Sequence, residues 1–66
     1  MDIKYPEVNV PLVGEDGNAF AILGRVQKAL RSAGVPKEEL DAYFAEATSG
    51  DYDHLLRVTM EWVNAD

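Results

Sequence analysis

Three side chains that could bind a metal ion or transfer protons lie together in the segment EATSGDYDHLL, residues 46 to 56. Asp51 and Asp53 are two positions apart, and His54, the only histidine, follows directly. Carboxylate oxygens and imidazole nitrogens are common metal ligands, and the same groups serve as general acids and bases. The segment is therefore either a site for chemistry or a structural corner between two helices.

The spacing favours the corner. A calcium loop of the EF-hand type requires alternating oxygen ligands and a glycine at its sixth position, but counting from Asp51 puts leucines at the fifth and sixth. A zinc site requires more ligands than one histidine in a chain without cysteine. We expect Gly50 to end one helix, Asp51 to cap the next, and Asp53 to lie in its first turn. His54 is then solvated, and no metal or cofactor is expected.

Nucleophilic catalysis has as little support. Ser49 is close to His54 in sequence, but no Gly-x-Ser-x-Gly elbow surrounds it. The segment GEDGN, residues 14 to 18, lacks the lysine and the glycine spacing of a phosphate-binding loop. We therefore expect a protein that is not an enzyme.

Charge is more informative than any motif. Twelve acidic residues against six Lys and Arg give a net charge of −6 and a pI near 4.5. Such a surface repels nucleic acid and anionic membranes, so a partner selected by charge is a basic protein. From residue 38 to residue 66 there are eight acids and one basic residue, Arg57. The alternative is that the acidity only keeps a small domain soluble.

The elements that position these charges fit one domain over residues 1–66, with an arm and turn over 1–17 and a three-helix bundle over 18–66. No apolar run approaches the roughly 20 residues that span a bilayer, and the first residues do not resemble a signal peptide. We expect a protein of the bacterial host cytoplasm.

The arm, residues 1 to 13, alternates apolar and polar residues with the period of a strand. Pro6 and Pro11 cannot donate ladder hydrogen bonds, which restricts the arm to an edge position. The sequence contains no second clear strand. The arm could lie across the helices, form a short hairpin, pair with a second copy, or pair with a partner's sheet.

Three amphipathic helices follow. Asn18 is the expected N-cap of the first helix, which should end at Gly34 and Val35. Pro36 is expected to be the first residue of the second helix. The third helix is expected to continue from Asp51 to Ala65. Gly24 suggests a close helix crossing. Each helix has a predicted apolar stripe that should face the core. In the first helix the stripe is Phe20, Leu23, Val26 or Gln27 and Leu30, widened by Ile22, Ala29 and Ala33. In the second it is Leu40, Tyr43, Phe44 and Ala47, and in the third it is Tyr52, Leu55, Leu56, Thr59, Trp62 and Val63. Whether Trp62 is buried or contacts a partner remains open.

Two resemblances accompany this pattern. The segment EATSGDYDHLLRVTMEWV resembles the second half of a ubiquitin-associated domain, which implies a small three-helix fold, although the Met-Gly-Phe loop of such domains is missing. The segments VGEDGNAF and EATSGDYDHLL are similar to those of short bacterial and phage proteins of unknown function. By size and acidity the chain resembles phage-encoded anti-CRISPR proteins, several of which mimic DNA and occupy the DNA-binding surface of a CRISPR effector.

The leading hypothesis is therefore a non-enzymatic, anti-CRISPR-like inhibitor of a host defence complex. It would act as an acidic DNA mimic on a basic nucleic-acid-binding protein, for which a CRISPR effector subunit is a candidate. The residues expected to contact the partner are Glu38, Glu39, Asp41, Glu46, Asp51 and Asp53. The alternatives are an interaction or assembly module that uses the arm for strand pairing or dimerisation, and a regulatory accessory domain. The chain is expected to be a monomer or a weak homodimer.

Overall fold

Helices account for most of the chain in the computed structural model, which describes residues 2–12, 14 and 17–65. Within those residues the order is β1 (Tyr5–Val10), α1 (Ala19–Ser32), α2 (Lys37–Ala47), α3 (Tyr52–Trp62) and β2 (Val63–Ala65). The mainly helical class agrees with the expectation from the sequence. The radius of gyration is 10.6 Å, close to the roughly 11 Å typical of a compact domain of this length.

The ends of α1 are fixed by local hydrogen bonds. The Asn18 side chain accepts from the Phe20 amide at 2.8 Å, which confirms the predicted N-cap. At the other end, Gly34 has φ +87°, and the Val35 amide donates to the Leu30 carbonyl at 3.1 Å. This is a Schellman ending, in which a glycine adopts the left-handed conformation at low cost, as the sequence predicts.

The starts of α2 and α3 differ in how well they were predicted. Pro36 is the N-cap of α2, with no side-chain cap bond, so the helix begins one residue later than expected, at Lys37. Asp51 caps α3 as predicted, because its carboxylate accepts from the His54 amide at 2.9 Å. The predicted turn over residues 14 to 18 includes residues 15 and 16, which lie outside the described residues.

The second strand is a correction to the sequence prediction. α3 ends at Trp62, and Val63–Ala65 forms β2, which pairs in parallel with β1. Val63 is fully buried, so extended backbone here brings its side chain into the core and gives β1 a partner. Three residues with no turn signal around them are too short to be recognised from period-2 alternation.

The arm therefore pairs within its own chain. Tyr5 lies opposite Val63 and Asn9 opposite Asn64, with a register shift between the two pairs. Pro6, which has no amide hydrogen, falls in this irregular stretch, where no regular ladder bond is needed from it. The Asn64 side-chain amide also donates to the Asn9 side-chain oxygen at 2.7 Å.

The core lies between the sheet and the three helices. Its fully buried members come from all five elements: Val10, Ile22, Val26, Leu30, Tyr43, Thr59 and Val63. Trp62, only 5% exposed, packs against Tyr43 at 5.6 Å between ring centroids, so the indole is a core residue and does not face a partner. The Tyr43 hydroxyl lies 2.7 Å from Thr59 Oγ1, which satisfies both buried polar groups.

Four residues of the predicted apolar stripes lie at the surface: Phe20, Ala33, Phe44 and Tyr52, of which Tyr52 is 45% exposed. Phe20 is 80% exposed and Phe44 42% exposed, because the buried face of each helix is centred on other residues: Ile22, Leu23, Val26 and Leu30 in α1, and Leu40, Tyr43 and Ala47 in α2. Val58, absent from the predicted stripe of α3, is buried.

The prediction of a close helix crossing at Gly24 was wrong. A Cβ added at Gly24 would meet no atom within 4 Å, and the residue is exposed. None of the helices that the structure describes has both the length and the apolar character needed to cross a bilayer.

Candidate functional site

The outward face of α2 presents the first group of predicted partner-binding acids. Leu40, Tyr43 and Ala47 face the core, so the 3.6-residue period directs Glu38, Asp41 and Glu46 to solvent, and all are exposed. Ala42 and Ala45 separate them, so no bulky side chain covers the carboxylates of this face.

Glu39 differs from its neighbours because it is half-buried and bound. Its Oε1 lies 2.8 Å from Lys4 Nζ and accepts a hydrogen bond from the Tyr5 hydroxyl at 3.0 Å. The hydrogen bond from Lys4, with a second from Tyr5, holds the pKa of Glu39 below its ordinary value. The same bond raises the pKa of Lys4. Glu39 therefore ties β1 to α2, and its charge is neutralised within the protein.

Asp41 is also paired, but at the surface. Its Oδ2 lies 3.1 Å from Lys37 Nζ, one helical turn earlier, and both side chains are largely exposed. Pairs of this kind contribute little to stability and are screened by salt, so a competing cation could displace Lys37. Of the six predicted residues, Glu39 and Asp41 thus have lysine partners inside the chain.

The corner between α2 and α3 holds the remaining two acids and the histidine. Asp51 caps α3, and Asp53 is exposed in the first turn. The His54 ring lies over Gly50, where a Cβ would be 2.7 Å from Cγ of the imidazole. These contacts agree with the structural corner predicted from the sequence.

The histidine at this corner is bound to backbone. His54 Nε2 lies 2.9 Å from the Glu46 carbonyl oxygen and 3.1 Å from Ser49 Oγ, and that hydroxyl donates to the same carbonyl at 2.7 Å. The Glu46 carbonyl also accepts from the Ser49 amide at 3.2 Å, so backbone and side-chain groups gather around a carbonyl in the last turn of α2, where regular helical partners are missing. No three His, Cys, Asp or Glu side chains converge as a metal site in the described ranges.

The six predicted acids differ in whether a lysine neutralises them. Glu38, Glu46 and Asp53 are exposed, and no ion pair neutralises them within residues 2–12, 14 and 17–65. Asp51 uses one carboxylate oxygen as a helix cap. The free negative charge of this face is thus concentrated on α2 and the start of α3.

A groove that sequence reasoning missed borders the same corner. It has a volume of about 270 Å³ and lies between the start of α1 and the α2–α3 connection. Leu23, Ala47 and Leu55, all nearly inaccessible, form its floor. Phe20 and Tyr52 form its walls, and the Tyr52 hydroxyl donates to the Gly17 carbonyl, which holds that wall in place.

One signal in the sequence bears on the exposed position of Phe20. If the buried arc of α1 is centred on Ile22, Leu23, Val26 and Leu30, a rotation of 100° per residue places Phe20 roughly 100° from the centre of that arc. The groove itself depends on Tyr52 and on the buried residues of its floor, which lie far from Phe20 in the sequence.

Comparisons of this chain with protein-family models, with curated proteins and with solved structures find no match.

Proposed function

We propose that this protein is a non-enzymatic inhibitor that uses the acidic surface of α2 and the α2–α3 corner to occupy a basic, nucleic-acid-binding surface of another protein. The proposal rests on one observation: Glu38, Glu46 and Asp53 are exposed and without an ion-pair partner among the residues that the structure describes. The class that the resemblance suggests is an anti-CRISPR-like inhibitor, with a CRISPR effector as the candidate partner.

The geometry of α2 supports this mimicry. Residues three or four apart on a helix have Cβ atoms roughly 5–6 Å apart, so Glu38 and Asp41 offer two carboxylates one turn apart once a competing cation displaces Lys37 from Asp41. Glu46 lies about 12 Å further along the axis than Glu38, at 1.5 Å per residue. The Lys and Arg side chains that hold DNA phosphates could therefore contact several carboxylates on one helix.

The net charge supports the same function because it would increase the rate of association with a basic partner. At −6 the protein is attracted to a positively charged cleft, and such steering raises association rates by about 10- to 1,000-fold at low salt. The arm gives less support to an assembly module, because β1 pairs with β2 of its own chain.

The test is a capture experiment with matched charge variants. The tagged protein is incubated with a lysate of its natural host at about 0.1 M salt, bound proteins are eluted at about 0.5 M salt, where charges are screened, and they are identified by mass spectrometry. One variant carries Glu38→Lys, Glu46→Lys and Asp53→Lys. The control carries Asp2→Lys, Glu7→Lys and Glu61→Lys, three exposed acids elsewhere.

Both variants change the formal net charge from −6 to 0, so a difference between them reports the position of the charge. The proposal predicts that the wild type captures a nucleic-acid-binding protein, that duplex DNA displaces it, and that only the first variant loses it. If the captured protein binds DNA and this protein at the same time, or if both variants behave alike, the mimicry is wrong. Circular dichroism verifies that each variant is folded. If the three lysines disturb the fold, a variant with Glu38→Gln, Glu46→Gln and Asp53→Asn replaces the first one.

A further inference from the structure

The groove beside Phe20 has the dimensions of a site for one side chain. At about 270 Å³ it falls below the roughly 300–1,000 Å³ of pockets that enclose small molecules. Its floor is apolar and preformed, since Leu23, Ala47 and Leu55 are each no more than 3% exposed. A leucine, methionine or phenylalanine of a peptide matches these properties.

The exposure of Phe20 requires an explanation. It is the most exposed of the large apolar side chains in the described residues, at 80%, and it lines the groove together with Tyr52. Single exposed apolar residues are ordinary, but here two aromatic rings flank an apolar depression. A side chain that entered the groove would contact apolar lining residues and reduce the exposure of Phe20 to water.

Acidic residues at the groove and next to it in the sequence favour a basic segment as its occupant. Asp51 lines it, Glu46 immediately precedes Ala47 of its floor, and Asp53 immediately follows Tyr52 of its wall. A second copy of this chain would bring another net charge of −6 to the same place, and like charges at an interface oppose association. A segment rich in lysine and arginine is attracted instead.

We infer that the groove binds a single apolar side chain from a basic peptide segment of the partner protein. The inference rests on the proposed function for the partner's charge and adds a feature that DNA mimicry lacks. Carboxylates alone would bind many basic surfaces, whereas an apolar anchor distinguishes the partner whose basic segment carries a leucine, methionine or phenylalanine at the matching position.

The test is a titration monitored by NMR with two synthetic peptides. The first is a 12-residue peptide of lysine and alanine with one central leucine, and the second has serine in place of that leucine. Each is added to the uniformly ¹⁵N-labelled protein at about 0.1 M salt. The leucine peptide is expected to shift the amide signals of residues 19–23 and 47–55 and to bind about tenfold or more tightly than the serine peptide, which corresponds to burial of one leucine side chain.

Two protein variants locate the anchor. Phe20→Ser removes a wall of the groove at an exposed position and is expected to reduce affinity for the leucine peptide to that of the serine peptide. Met60→Ser is the matched control, because Met60 is 53% exposed and apolar but does not line this groove; it should leave both affinities unchanged.

Each contrary result overturns the inference in a distinct way. If both peptides bind equally and the amide signals shift only in α2, the groove does not bind an apolar side chain, but the charge-based function is not affected. If neither peptide binds, the groove has no affinity for a basic segment. If the same amides shift with protein concentration alone, the occupant is a second copy of this chain. Charge dependence in the host-lysate capture is measured separately, so failure of the groove and failure of the acidic surface are distinguishable.

Discussion

The ammonium of Lys4 lies 4.2 Å from the centre of the Trp62 ring, and the same nitrogen is 2.8 Å from Glu39 Oε1. A cation above an indole face is attracted by the quadrupole of the ring. Tyr5 lies beside it, with its ring centroid 6.0 Å from that of Trp62. The residues around Trp62 thus connect the beginning of β1, the first turn of α2 and the end of α3.

This arrangement predicts a loss of stability in acid. The pKa of Glu39 is lowered in the folded protein, so its stabilising contribution is present above the unfolded value of about 4.5 and is lost as the pH falls through the lower folded value. We expect Glu39→Gln to be less stable than the wild type at pH 7, with the difference vanishing in strong acid. Urea denaturation between pH 2 and 7 measures this.

The neighbouring Glu38 provides the control. It is exposed and, among the described residues, forms no ion pair, so Glu38→Gln should change the free energy of unfolding at pH 7 much less than Glu39→Gln does. If Glu39→Gln and Glu38→Gln give superimposable curves, the bonds to Lys4 and Tyr5 do not stabilise the fold in solution.

The buried pair Tyr43 and Thr59 makes a second prediction. Tyr43→Phe leaves the Thr59 hydroxyl, fully inaccessible, without its partner at 2.7 Å. The expected decrease in the free energy of unfolding is about 1–3 kcal/mol. Because the unsatisfied hydroxyl causes most of that loss, adding Thr59→Val should cost less than the sum of the two single changes. Strict additivity in urea denaturation would show that the two groups are not coupled.

Gly50 predicts a steric effect. A methyl group there would lie 2.7 Å from Cγ and 2.8 Å from Cβ of His54, atoms too near the backbone to move freely. We expect Gly50→Ala to decrease the free energy of unfolding by about 1–3 kcal/mol. In a His54→Ala background, where the ring is absent, the same substitution should cost much less, and thermal unfolding of the four proteins measures the coupling. An unchanged cost in that background would exclude the ring as the cause.

A substitution at Gly24 is expected to stabilise the protein, in contrast to the one at Gly50. It lies inside α1 with open space around it, so Gly24→Ala should increase the free energy of unfolding by about 1 kcal/mol, the difference in helix propensity. A destabilised variant in a urea titration would mean that the backbone at this position makes a contact that the structure does not contain.

Local signals in the sequence predicted the local features. Asn18, Gly34 and Asp51 each act on backbone groups within a few residues, so their roles as caps and helix ends follow from residue type and position. The helices were found for the same reason, because their stripes repeat within a short window. The exposed position of Phe20 was missed because helical spacing alone does not say which of two overlapping arcs faces the core.

Features that depend on distant residues were not predictable in this way. β2 is three residues long and is stabilised by a strand near the opposite end of the sequence. Residue type alone groups Glu39 with the exposed acids, because Lys4, which neutralises it, is far away in the chain. The pairing of Asp41 with Lys37 is a different case, since their four-residue spacing could have been read as a helical ion pair.

The parallel pairing of β1 with β2 also has a consequence for the rate of folding. Asn9 and Asn64, which face each other across the sheet, are 55 residues apart, so the sheet forms only when nearly the whole chain has been brought into a loop. Loop closure on this scale carries an entropic cost before any strand contact compensates it, and a high proportion of such contacts slows folding relative to helical proteins with local contacts. The three-residue strand thus makes the protein a slower folder than its helices alone would suggest.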